Sequence, residues 1–141
     1  MEKSTTDDLL QALINTDDLP SFLSENGERL RVPSLSEHLE ALLAAHGRKK
    51  ADVIRDSGLD VSYAYQVFQG VRTPARDKLL LIAFALPLSL QETLKLLRVA
   101  SAPGLYVKNK RDSIIIFALE HGQSLGELNR LLEEENEDYL S

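Results

Sequence analysis

The side chains best equipped for chemistry lie between Gly47 and Leu86, in the stretch GRKKADVIRDSGLDVSYAYQVFQGVRTPARDKLLLIAFAL. That chemistry is recognition rather than catalysis. Seven cations fall in this short span, among them Arg48, Lys49, Lys50, Arg72, Arg76 and Lys78, and a cluster of Lys and Arg suits the phosphate oxygens of a nucleic acid backbone. Arg72 and Arg76 flank the expected start of a helix, whose free N–H groups also favour a phosphate. Catalytic constellations are missing. His38, His46 and His121 are far apart, none has a second ligand at metal spacing, and there is no cysteine. No glycine-rich phosphate loop or nucleophile elbow occurs. Neither an enzyme nor a metal or cofactor is expected.

The elements that must position these residues are two short helices, 49–57 and 61–69, meeting at Gly58-Leu59-Asp60. Gly58 can take the left-handed conformation that ends a helix, and Asp60 can accept the first free N–H groups of the next. That pattern is a helix-turn-helix. Gly70 ends the second helix, and Thr73-Pro74 reads as an N-cap followed by a proline at the first helical position.

Taken without a gap, these forty residues resemble the Cro/repressor-type (lambda-repressor-like, XRE) helix-turn-helix family. The family's apolar core positions fall on Val53, Ile54, Leu59, Ala64, Val67, Leu79, Ile82, Ala83 and Leu86, its turn glycine on Gly58, its later glycine on Gly70 and its proline on Pro74. The resemblance implies a sequence-specific DNA-binding transcriptional regulator of bacterial or phage type, binding double-stranded DNA as a homodimer with helix 61–69 in the major groove. The base-reading positions then fall on Val61, Ser62, Gln66 and Tyr65, with Tyr65 and Tyr63 on or near the outer surface. Gln66 can bond adenine through both groups of its amide, which supplies about 1–3 kcal/mol of discrimination. Ser62 can reach a base or a phosphate, and Val61 a thymine methyl. Arg48, Lys49, Lys50, Arg72, Arg76 and Lys78 are implied as DNA-backbone contacts.

The chain departs from the family at Phe68, where a glutamate is common, and Phe68 is expected to pack between helices. No Arg or Lys lies within 61–69. The alternative reading is therefore a helical protein–protein adaptor, its tyrosine-rich helix offering a surface that tolerates both water and burial.

Elsewhere the chain reads as helical throughout, giving an all-α protein in three parts. Residues 1–33 form an N-terminal extension in which Leu9, Leu10, Leu13 and Ile14, then Leu19, Phe22 and Leu23, mark two small helices expected to cover the core. Ser4-Thr5-Thr6-Asp7-Asp8 is a hydroxyl run that suits an N-cap or phosphorylation. Residues 34–101 form the five-helix domain, opened by a capping box of Ser34 with Glu37 and closed by a helix with Ser89–Glu92 as its box and Leu90, Leu94 and Leu97 inward. Ala102-Pro103-Gly104 reads as a linker. Residues 105–141 form a hairpin of a very apolar, largely buried helix up to His121 and a second capped by Ser124 with Glu127. This hairpin resembles the helix-turn-helix only coarsely, with no residues recurring. The tail EEENEDYLS reads as solvated.

The formal net charge is −6, which argues against a nucleic acid until the chain is divided. Residues 1–34, 35–111 and 112–141 carry net −4, +5 and −7. The positive field thus coincides with the helix-turn-helix, while Lys108, Lys110 and Arg111 either extend a DNA footprint or serve solubility. No apolar run approaches the roughly 20 residues that span a bilayer, and the N-terminus lacks the order of a signal peptide. A cytoplasmic protein with no membrane partner is expected.

Overall fold

The computed structural model describes residues 5–31 and 33–141, which are helical with no strand among them. Contacts divide the chain into two compact units, residues 1–32 and 33–141. In the first, α1 (Thr5–Asn15) and α2 (Leu19–Glu25) are joined by a turn in which Asp18 accepts from the Ser21 N–H. Phe22 is buried, but Leu10, Leu13, Ile14, Leu19 and Leu23 are exposed, so these helices do not bury the apolar stripe their spacing predicts. Of the N-terminal hydroxyl run, Ser4 lies outside the described residues.

The second unit holds α3 (Leu35–His46), α4 (Lys50–Ser57), α5 (Val61–Phe68), α6 (Arg76–Ala85), α7 (Leu90–Val99), α8 (Lys110–Glu120) and α9 (Leu125–Glu134). Most boundaries follow local chemistry visible in the sequence. Ser34, Asp60, Asn109 and Ser124 each accept an N–H of the first turn they precede, and Ser89–Glu92 and Ser124–Glu127 close complete capping boxes. The start of α6 differs. Its N-cap is Ala75, without a side-chain bond, and Pro74 is buried just outside the helix rather than at its first position. α7 also turns differently, burying Thr93, Leu96 and Leu97 and leaving Leu90 and Leu94 half-buried.

All nine apolar positions of the helix-turn-helix stretch, from Val53 to Leu86, are buried in one core. Ile115, Ala118, Leu119, Leu128, Leu132 and Leu140 join that same core. The break at Ala102-Pro103-Gly104 therefore separates helices but not cores. It is strapped down by Arg76, whose Nη1 donates to the Gly104 carbonyl at 3.0 Å. The acidic tail is likewise fixed. Asn136 adopts φ +59 and turns the chain back, Leu140 is buried, and its backbone N–H and carbonyl both bond the Asn129 amide at 2.8 and 3.1 Å.

Residues do recur between the hairpins. At a constant offset of 35, RDKLLLIAFALPLSLQETLKLL (76–97) aligns with RDSIIIFALEHGQSLGELNRLL (111–132) without a gap. Arg-Asp opens each helix pair, an alanine lies at 83 and 118, and Ser-Leu-x-Glu opens each second helix. The structure uses the copies reciprocally. Arg76 pairs with Asp112 at 2.8 and 3.0 Å, and Arg111 pairs with Asp77 at 3.2 and 3.3 Å. Likewise α6 meets α9, and α7 meets α8. Such exchange is what an approximate two-fold between duplicated hairpins produces.

Candidate nucleic-acid interface

The corner between α4 and α5 fixes the candidate site. Gly58 sits at φ +75 and donates to the Arg55 carbonyl. Ser57, which is buried, bridges the turn: its hydroxyl donates to the Ile54 carbonyl at 2.7 Å and accepts the Leu59 N–H at 3.2 Å. Asp60 then accepts the Tyr63 N–H at 3.0 Å and starts α5. Ser57 has no distinctive sequence signal, because serine is common at helix ends.

α5 is held from behind by Ala64, Val67 and Phe68, all buried, and the aromatic ring of Phe68 packs inward as expected. The Phe68 carbonyl accepts the Ser36 hydroxyl at 2.6 Å, which ties the end of α5 to α3. The opposite side is open: Val61 is 58% and Tyr65 36% exposed, Ser62 is exposed and Gln66 is half-buried. The four base-reading candidates therefore share one short helix with a solvent-facing side.

Arg72 joins them from the following loop. Its Nε donates to Gln66 Oε1 at 2.7 Å, and its guanidinium lies 5.7 Å from the centre of the Tyr63 ring. Proximity along the chain gives no hint of this bond, which closes only because Gly70 at φ +81 folds the loop back over α5. An amide oxygen has two lone pairs, so Gln66 can accept from Arg72 and still accept from a base. The chain matches no protein-family profile, no curated protein and no solved structure.

The other cations are used unequally. Lys49 is the exposed N-cap of α4. Lys50 pairs with Glu40 at 2.6 Å and lies 5.7 Å from the Phe68 ring, while Arg48 pairs with Asp56 at 2.6 Å. Asp56 sits below the ordinary carboxylate pKa because Arg48 and Arg55 both bond it. Arg76 and Lys78 are not brought to α5. Arg76 is committed to Asp112, and Lys78 donates to the carbonyl oxygen of Ser141 at 3.2 Å. Burial works to raise the Asp112 pKa, but Arg76 and the Tyr106 N–H hold it below its usual value. Lys110 and Arg111 are similarly occupied, donating to the carbonyls of Glu135, Asp138 and Tyr139. Sequence spacing grouped these cations because it cannot see which acid each one finds.

Among the described residues no group of acids and histidines is placed to hold a metal ion. None of the described helices is long and apolar enough to cross a membrane.

Proposed function

We propose that this protein is a sequence-specific DNA-binding transcriptional regulator that places α5 in the major groove. The observation that carries the reading is the open side of α5, where Gln66 and Arg72 are bonded to each other beside Val61, Ser62 and Tyr65. A helix without Lys or Arg gains a guanidinium at its outer surface in this way. Gln66 reads adenine, Ser62 a base or phosphate and Val61 a thymine methyl. Arg72, Lys49 and Lys50 supply phosphate contacts, with Lys50 exchanging Glu40 for a phosphate oxygen. Binding as a two-fold dimer calls for half-sites about 10 bp apart.

The test is a fluorescence-polarisation titration of a randomised duplex pool at two salt concentrations, with sequencing of the DNA retained at the higher one. An enriched motif supports the reading. Binding that vanishes with salt and enriches nothing overturns it. Gln66→Ala should relax preference at one base position, whereas Lys50→Ala or Arg72→Ala should weaken binding to every sequence and lower the salt slope by about one unit each.

The adaptor reading has its own support in the exposure of Tyr65 beside Val61. It requires loss of partner capture on Tyr65→Ala, with no DNA motif enriched.

A further inference from the structure

We propose that the groove between α8 and α9 is a docking site for an amphipathic helix of a partner protein, aliphatic along one side and flanked by Lys or Arg. The argument starts from the duplication and is independent of the DNA reading. Aligned positions of the two hairpins fall into two classes. Leu80 and Ile115, Ala83 and Ala118, Phe84 and Leu119, Leu97 and Leu132 are buried in both copies. Leu79, Ile82, Leu86 and Leu96 are also buried, none more than 1% exposed, yet their counterparts Ile114, Phe117, His121 and Leu131 are all partly or largely open.

In the first copy the difference is made by the two helices that precede α5: α4 packs on α6, and α3 packs on α7. The second copy retains the apolar surface without that cover. Phe117 is 46% exposed and is steadied by the His121 ring, stacked with centres 4.0 Å apart. The result is a groove of about 360 Å³ lined by Ser113, Ile114, Phe117, Leu131, Glu134 and Glu135.

What fits the groove follows from its own rim and from the cover of the first copy, where α3 lies on α7 and α4 on α6. α4 presents Val53 and Ile54 inward and carries Lys50 and Arg55. Where the first copy ends α7 in Val99-Ala100, the second has Glu134-Glu135 on the groove rim, so its charge selects a basic flank. The leucine-bearing α1 does not match, since it has Asp7 and Asp8 and no cation.

The experiment titrates the isotope-labelled full chain with a stapled helical peptide copying residues 47–58, which carries Arg48, Lys49, Lys50, Arg55, Val53 and Ile54. Saturable amide shifts confined to α8 and α9 are expected. They should weaken at least about tenfold for a peptide with its cations replaced by glutamate, and equally on Phe117→Glu, a change at an exposed position that leaves the thermal midpoint in place. Three results overturn the proposal: no groove shifts at millimolar peptide, equal binding of the acidic peptide, or self-association of the free chain abolished by Phe117→Glu. The last would make the occupant a second copy.

Discussion

Two arginines four residues apart do different work, and their partners decide which. Arg72 is exposed and meets a neutral amide, so it remains available to an anion. Arg76 meets Asp112, whose side chain is only 6% exposed, in a two-bond pair whose loss strands a buried carboxylate. Removing one partner of such a pair costs several kcal/mol; Arg76 keeps some contact with water, so Arg76→Ala should destabilise the fold by about 3 kcal/mol in denaturant melts. On the proposed DNA-binding function, its effect on the salt slope should be nil, the opposite of Arg72→Ala. The loss should also depend on pH in a definite direction. A carboxyl whose folded pKa is lowered contributes stability above its unfolded value and loses it as pH falls through the folded one. The gap between wild type and Arg76→Ala should therefore be full at neutral pH and close progressively below about pH 4. Melts across pH 2–7 would show a constant gap if the pair were unimportant.

At the scale of elements, the helix-turn-helix depends on one backbone conformation. Gly58 is at φ +75, and a Cβ added there would meet nothing within 4 Å. The cost of Gly58→Ala is therefore conformational rather than steric, about 1–2 kcal/mol, and a chemical melt should show it with the folded spectrum unchanged. A larger loss with an altered spectrum would mean that the corner itself had moved. The caps were legible for the same reason that this glycine was: Ser89–Glu92 and Ser124–Glu127 act within one turn, so their partners are fixed by sequence distance. Pro74 shows where local reasoning stops. Thr-Pro fits a helix start, but burial of Pro74 in the domain shifts the start to Arg76. The apolar run of α8 misleads similarly, because an aliphatic stripe signals that a surface wants cover, not that the chain supplies it.

Over the whole 33–141 unit, the hairpin and tail are parts of the core. Leu140 is 1% exposed and is held by Asn129, and Arg111 donates to the carbonyls of Asp138 and Tyr139. Truncating such a leucine leaves a cavity, so Leu140→Ala should cost about 3 kcal/mol; a thermal melt unchanged by it would mean that the tail is not docked. The sequence by itself determined the all-helical class and the caps and corners at Ser34, Gly58, Asp60, Gly70, Ser89 and Ser124, while the nine inward positions of the helix-turn-helix stretch came from the family resemblance. Those features depend on backbone preference and on periodicity within a few residues, where the partner of each group is a near neighbour in the chain. Tertiary structure alone decided that Arg72 joins Gln66, that Arg76 and Lys78 serve the C-terminal segment, and that the acidic tail is pinned rather than solvated. It also brought out the duplication, because the significance of two Arg-Asp pairs 35 residues apart rests on their exchange of partners across the core. A charge finds its counter-ion through space, and those of Arg111 and Arg76 lie 34 and 36 residues away.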